Sequence, residues 1–391
     1  MNTPTRLRIA ILSRHFDAAA GGAERYSVAV ATALKDRHDI HVFSQSTGSP
    51  EPDGLTLHRI PTLLARPRWL NQLAYALICG WLTRQGFDAI HSHENTWTGD
   101  VHTVHVRTFR GNVLGRRTTG AAMVAWLKLI VSPRLLTYYF LERARFSRGA
   151  GRQVVVVSST LADDVASNYV QWPAEDLPIV PPGLPAAVAC SAQDRLALRQ
   201  ELGLQAHEFV LLHVSNDHRK KGLDTLLAAL PSIETRLPVL RLVVVGSDRD
   251  STRSAALARK LNVQTPMTFV GKVTNPQHWY QAADMLVHPA FEDTFGMVVS
   301  EAMSHGLPVI VSPAPWCGIA ADLAGSGAAC LLSHPSAVTE LGEQIVRLAA
   351  DAAERQRLSA AARQFAQRYD WEVAAAAYEA MYRRVAAQKR G

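Results

Sequence analysis

The stretch Asp284–Ser312, DMLVHPAFEDTFGMVVSEAMSHGLPVIVS, constrains the fold of this chain most tightly. Met285–His288 is a short run of strand length, and Pro289 ends it by removing a ladder donor. A loop follows with Glu292, Asp293, Thr294, Phe295 and Gly296. Met297 to His305 has helical character and stops at Gly306, a residue type favoured just past a helix end. Leu307–Val311 begins the next strand. Strand, helix, strand in this order is a βαβ crossover, the unit of a parallel sheet. The helix N-terminus offers unpaired N–H groups and about half a positive charge, so it suits a phosphate. Asp293 and Glu301 bracket that terminus and supply acceptors for hydroxyls of the same ligand. Phosphate plus polyol describes a sugar nucleotide. The plainer alternative is an ordinary crossover with surface acids.

The 391 residues allow two or three domains, and 48% apolar against 19% charged residues excludes a disordered chain. The most apolar window, Ala121–Leu141, is broken by Lys128, Pro133 and Arg134, so no spanning helix is expected. The early run Ile9–Leu12 is too short for a secretory signal. Cys79, Cys190, Cys317 and Cys330 lack metal spacing and fit reduced thiols in the cytosol. The formal charge of +7 is concentrated in one place, because ten Lys/Arg lie between Arg107 and Arg152 against the single acid Glu142. Such a block calls for an anionic partner. Its arginines alternate with Phe109, Trp126, Tyr138, Tyr139 and Phe140, the pattern of an element lying on a membrane surface. No nucleic-acid motif accompanies it, so no nucleic-acid partner is expected. A solvated basic face over ordinary core residues is the alternative.

Arg6–Ser13 reads as a first buried strand, followed by Gly21-Gly22 and a helix over 23–34. This is a Rossmann-like opening without the strict GxGxxG of dinucleotide binders. The two glycines let backbone approach a ligand closely. Strands at 40–44, 55–60 and 88–91 alternate with a helix over 69–84. His91, His93, Glu94, His102 and His105 crowd one segment and invite a metal reading. However, HxH on a strand turns both rings to one face, a common arrangement without metal. A strand at 154–157 leads to a helix capped by Ser158, Ser159 or Thr160, and Pro181-Pro182-Gly183 marks a domain boundary. Beyond it, a strand at 209–214 leads to Arg219-Lys220-Lys221-Gly222 and a helix from Leu223. A basic cluster and a glycine between strand and helix is a grip for a diphosphate, and a solvated basic turn is the alternative. Asp248-Arg249-Asp250 follows the strand at 241–245 and is read as a coincidental DxD string.

The joint spacing of Gly21-Gly22, Pro181-Pro182-Gly183, Lys220-Lys221-Gly222 and Asp293-Thr294-Phe295-Gly296-Met297-Val298-Val299-Ser300-Glu301-Ala302 resembles retaining glycosyltransferases of family 4, of the GT-B class. Gly306-Leu307-Pro308-Val309 extends the match. Two departures stand out. Asp293 replaces the usual glutamate, with Glu292 beside it, and Ser215 or Asn216 stands where an arginine usually follows the strand. The resemblance implies an α/β fold with two Rossmann-like parallel-sheet domains facing across a cleft. These would be residues 1–184, with a last helix over 371–391 packing back, and residues 185–370. It implies a nucleotide-sugar donor, expected to be UDP-glucose, and no metal or other cofactor. Lys221, with Lys220 or Arg219, would meet the pyrophosphate. The backbone at Val270, Gly271 and Lys272 would meet the base. Thr294, Phe295, Gly296, Met297 and Val298 would line the phosphates, Glu301 the ribose, and Asp293 (or Glu292) the sugar. Gly21, Gly22 and the strand-end His105 would lie near the donor phosphates and the transferred hexose. The 138–146 wording is similar to lipopolysaccharide-core glucosyltransferases within the family. The implied acceptor is therefore lipopolysaccharide core or a lipid-linked saccharide at the cytoplasmic face of the inner membrane, served by a peripheral monomer. Other surface polysaccharides or glycolipids, a sugar-nucleotide epimerase of the same architecture, and a non-catalytic scaffold remain as alternatives.

Overall fold

The computed structural model describes residues 5–115, 119–149, 151–185, 188–246 and 251–390. The chain divides into two units, Met1–Gly183 with Trp371–Gly391, and Leu184–Asp370.

In the first unit six parallel strands form one sheet. In chain order they are β1 (Arg8–Leu12), β2 (Asp39–Ser44), β3 (Thr56–Arg59), β4 (Ala89–Ser92), β5 (Val101–Val104) and β6 (Gln153–Val156). Their spatial order is β3-β2-β1-β4-β5-β6. Ile9 to Leu12 are fully buried, as expected for a central parallel strand covered on both faces. The strand order reverses between β1 and β4, and ligands of such sheets bind beyond the carboxyl ends of the strands at that switch point. The last helix, Trp371–Arg390, belongs to this unit. It buries Tyr378 and Tyr382, places the Tyr378 hydroxyl 2.9 Å from that of Tyr26, and pairs Glu379 with Arg37 at 3.2 Å. Near its end Lys389 reaches Asp100 and Arg390 reaches Asp88, each at 2.6 Å.

The second unit repeats the plan with β7 (Phe209–Ser215), β8 (Leu240–Gly246), β9 (Met267–Gly271), β10 (Met285–His288), β11 (Val309–Val311) and β12 (Cys330–Leu331). Their order is β9-β8-β7-β10-β11-β12, all parallel. Its core joins Leu211, Leu242 and Val287 of the sheet to Leu226, Leu230, Leu341 and Ile345 of the covering helices. Here the switch point falls between β7 and β10, which pair through Met285–Leu211 and Leu286–Leu212. The loops after these two strands carry Lys220-Lys221 and Asp293.

The basic segment differs from expectation in part. Arg145 is buried, donating to Asn95 Oδ1 at 2.8 Å and to the Thr103 carbonyl. Burial pushes its pKa down to about 10. Arg152 turns onto the carbonyls of Ala144 and Trp97 at 2.7 and 3.0 Å. Arg148 pairs with Asp176 at 2.8 Å and lies over the Trp172 ring. These three hold the unit together, which leaves Arg110, Lys128, Arg134 and Arg143 as exposed charges among the described residues. Arg116 and Arg117, like Asp248-Arg249-Asp250, lie outside the described residues.

Candidate active site

Two loops meet at the switch point of the second sheet. The first leaves β7 and turns back at Lys220, whose N–H donates to Asp217 Oδ1 at 3.0 Å. Gly222 closes it with φ +80°, and a Cβ there would sit 1.9 Å from the Pro289 carbonyl oxygen. Only glycine meets both demands. The close approach sets this loop against the start of the second loop, and Phe291 N–H donates to the Lys220 carbonyl at 2.8 Å.

The second loop carries the carboxylates. Asp293 is anchored through its backbone to the segment after β11: its N–H donates to the Trp316 carbonyl at 2.7 Å, and its carbonyl accepts from Gly318 at 2.9 Å. Its side chain faces Lys221 Nζ at 2.9 Å, in a pair whose side chains are only 18% and 14% exposed. His288 Nε2 donates to the same carboxylate at 2.9 Å. Burial alone would raise the Asp293 pKa, but the Lys221 ammonium and the His288 hydrogen bond outweigh it and hold the group well below the ordinary carboxylate range. Lys221 also donates to the Glu292 carbonyl at 2.8 Å. Glu292 itself is half exposed and receives Lys220 Nζ on both oxygens at 3.0 Å. The two acids thus separate physically: Asp293 is the enclosed, fixed carboxylate, and Glu292 is a surface partner of Lys220.

Gly296 follows with φ +101°, and a Cβ there would lie 2.8 Å from Cys317 Sγ. It starts the helix Met297–Ser304, whose N-cap has no side-chain hydrogen bond. The N–H groups of Met297 and Val298 lie in the first turn, where an α-helix makes no internal bonds to them. The next two donate back to Gly296. Phe295 is buried edge-on against Tyr369 and fixes the loop. Glu301 lies one turn further along the helix, nearly buried, and accepts from the Tyr280 hydroxyl at 2.8 Å. Val270, Gly271 and Lys272 lie at the carboxyl end of the edge strand β9, where Gly271 has φ +79°. Arg219 and Lys272 are exposed, and Thr294 is half-buried.

His288, Asp293 and Cys317 place one ligand atom each within 4.8 Å of one another, the only metal-capable group among the described residues. They fit a cation poorly. Lys221 already supplies the positive charge to that carboxylate, and burial holds the Cys317 thiol protonated, its pKa pushed well above 9.

Gly21, Gly22 and His105 belong to the first unit. Gly21 is extended and precedes the helix Gly22–Leu34, accepting from Arg25 N–H at 2.9 Å. Arg14 follows β1, and its N–H and Nε both donate to Glu94, which follows β4, at 3.1 and 2.9 Å. The pair spans the switch point of this sheet. His105 follows β5; its Nε2 lies 2.9 Å from His93 Nδ1, and the Tyr26 ring lies edge-on at 5.0 Å. Burial first, then the Arg145 charge, pushes its pKa down to about 3, so the ring is neutral. His91 and His93 share one face, with centroids 4.2 Å apart, and His91 is taken up by Tyr382 and Thr103 at 2.6 and 2.7 Å.

Sequence reasoning missed His288, the Trp316–Gly318 strut and the Arg14–Glu94 pair. Their only sequence signal is position: His288 is the last residue of β10, Arg14 and Glu94 follow β1 and β4, and Trp316–Gly318 lies in the segment after β11.

A family model described as Glycosyltransferase Family 4 matches residues 20–188, and one described as Glycosyl transferases group 1 matches residues 194–365. The first falls almost wholly in the first unit and the second within the second; together they span most of the chain, which belongs to the family 4 glycosyltransferases. It is 27% identical to the lipopolysaccharide glucosyltransferase WaaG of Escherichia coli K12, over 83% of this chain and 84% of that protein. It is 26% identical to a D-inositol 3-phosphate glycosyltransferase of Stackebrandtia nassauensis, over 90% of this chain and 84% of the other. A crystal structure of WaaG matches with TM-score 0.81 and 24% identity, covering 95% of this chain and 98% of that one. A sucrose-phosphate synthase of Thermosynechococcus elongatus matches with TM-score 0.77 and 23% identity, covering 98% and 100%. The fold is therefore GT-B.

Proposed function

We propose that the protein is a retaining hexosyltransferase that moves glucose from UDP-glucose to lipopolysaccharide core or another lipid-linked saccharide, as a metal-independent peripheral monomer at the cytoplasmic face of the inner membrane. The observation that carries this reading is the second unit's switch point. There two lysines, an enclosed ionised carboxylate and an uncapped helix N-terminus converge on one place.

Lys220, Lys221 and the N–H groups of Met297 and Val298 attract the diphosphate and stabilise the charge it gains as it leaves. In that step the bond from the sugar C1 to the phosphate oxygen breaks, the bond from C1 to the acceptor oxygen forms, and the acceptor proton passes to the departing phosphate. Asp293 accepts hydrogen bonds from sugar hydroxyls, and its depressed pKa keeps it an acceptor at every physiological pH. Glu301 takes the ribose hydroxyls. His105 is neutral and hydrogen-bonds the transferred sugar.

The helix Thr119–Val131 leaves Met123, Leu127 and Ile130 at 71%, 61% and 63% exposure, beside exposed Trp126, Val131 and Lys128. Trp81 on the helix Arg68–Leu82 is 74% exposed, and no Asp or Glu lies between Gly54 and Phe87. Exposed apolar side chains among arginines suit an anionic lipid surface. No helix among the described residues is long and apolar enough to cross a membrane. The similarity to a lipopolysaccharide glucosyltransferase supports the same acceptor class. The similarity to D-inositol 3-phosphate glycosyltransferases favours a soluble acceptor, against which the apolar helix stands.

A thermal-shift screen of UDP-, GDP- and ADP-sugars tests the donor, because a bound ligand raises apparent stability. UDP-glucose is expected to give the largest shift, and Glu301→Ala to abolish both shift and transfer while the protein stays folded. A donor-only incubation that epimerises the sugar would instead favour an epimerase.

A further inference from the structure

His93 has no part in the mechanism above, yet it is packed against the one histidine that does. Its ring lies between those of His91, at 4.2 Å, and His105, at 5.2 Å. The His93 and His105 planes differ by only 14°, with Nδ1 of the first 2.9 Å from Nε2 of the second. Near-parallel rings with nitrogens so close and centroids so far apart lie edge to edge. In that arrangement an N–H and a lone pair point at each other. Tyr26 closes the other side of both rings, at 6.0 Å from His93 and 5.0 Å from His105. The charged and titratable groups around the pair are His91, Arg145, Tyr26 and the adjacent Glu94. Burial first, then neighbouring imidazoles and Arg145, keeps His93 well below its ordinary pKa, so two neutral imidazoles share one proton between them.

Two assignments are open to such a pair. In one, His105 Nε2–H donates to His93 Nδ1, and the His93 proton must then sit on Nε2. That atom is buried without a hydrogen-bond partner among the described residues. A buried N–H without an acceptor is among the rarest defects of native structures, whereas an under-used acceptor is tolerated more often. In the other assignment His93 Nδ1–H donates, and the buried Nε2 carries only a lone pair. The second assignment leaves no orphaned N–H on His93.

We infer that His93 is a positioning residue: its Nδ1–H donates to His105 Nε2 and keeps the His105 proton on Nδ1, so His105 meets the sugar in one fixed tautomer and not as a proton carrier. The inference rests on the transferase reading for its functional half only; the tautomer assignment stands on geometry. It also accords with a transfer in which the departing phosphate takes the acceptor proton, because the protein keeps His105 from cycling through the imidazolium.

The test uses full-length protein carrying 15N-labelled histidine. Long-range 1H–15N spectra are expected to show His105 protonated on Nδ1 from pH 6 to 8. His93→Phe fills the space without a donor and should release that tautomer. It should also lower kcat about tenfold, the loss of one positioning hydrogen bond, with the donor KM nearly unchanged. His93→Asn places an amide N–H where Nδ1–H stood, and should restore the tautomer and most of kcat. Wild-type His105 protonated on Nε2 overturns the inference even if neither variant folds. Equal kcat for the Phe and Asn variants also overturns it. Absence of transfer from any nucleotide sugar would sink the functional reading while leaving the tautomer result to stand or fall by its own spectrum.

Discussion

Lys221 and Asp293 form the pair on which the candidate site depends, and removing either partner should have a cost set by burial. Their N–O distance is 2.9 Å, with side chains 18% and 14% exposed, so solvent screens the pair weakly. Breaking a buried pair by removing one member costs about 3–5 kcal/mol, because the other charge stays buried and uncompensated. Lys221→Met leaves Asp293 with His288 as a donor, which places the expected destabilisation near the lower end, about 3 kcal/mol. Asp293→Asn should cost less, about 1–2 kcal/mol, since Lys221 keeps the Glu292 carbonyl at 2.8 Å. The double variant should then be more stable than the sum predicts by about 2 kcal/mol. Urea denaturation of the four proteins measures this directly, from midpoints at constant slope. In Lys221→Met the burial effect on Asp293 is opposed by His288 alone, so its pKa rises and activity should become sensitive to acid. Transfer itself should fall about 100- to 1,000-fold in Lys221→Met. Additivity within about 0.5 kcal/mol would refute the coupling and the assignment of Asp293 as the enclosed carboxylate.

Other consequences follow from single features. Gly222→Ala forces a Cβ into the Pro289 carbonyl at a positive φ, so it should destabilise by more than the about 1 kcal/mol of a left-handed residue alone; a thermal melt within a degree of wild type would contradict this. His91, His102 and His213 are fully buried and kept neutral, with His91 and His213 pushed down to about 3. Their folded pKa values lie below the unfolded value of about 6.5, so as pH falls below it the unfolded state binds protons that the folded state refuses. Stability should be full above pH 7 and fall by up to about 1.4 kcal/mol per pH unit for each ring, read as a falling Tm between pH 7 and 5. Leu127→Asp with Ile130→Asp removes about 1 kcal/mol of exposed apolar surface at each position, so partition onto anionic vesicles should drop about 30-fold without loss of donor binding. Unchanged partition would remove this helix from the membrane-facing surface.

The architecture was legible because punctuation and period agree along the chain. Pro289 and Gly306 bracket the crossover helix, and the runs at 209–215 and 240–246 are mostly apolar and buried along nearly their whole length, as covered parallel strands are. The site was legible as a set of residues but not as a set of pairs. Lys220-Lys221 and Glu292-Asp293 stand about 70 positions apart, and they meet only because β7 and β10 are neighbours in the sheet. That adjacency gives each acid its own partner, Lys221 for Asp293 and Lys220 for Glu292, a pairing that spacing alone does not show. Net charge misled at Arg145 and Arg152, because a count cannot tell a solvated arginine from one spent on buried carbonyls. The proton-sharing pair of the histidine segment appears only when strands β4 and β5 align side by side.

The central claim is transfer with retention from a nucleotide sugar held at the Lys221–Asp293 centre. It is tested most directly by incubating the protein with UDP-glucose and a truncated lipopolysaccharide acceptor and reading the anomeric configuration of the new linkage by NMR. The account predicts an α-linked glucose, the configuration of the donor, lost in Lys221→Met. A β-linked product, or α-transfer undiminished in that variant, would contradict it.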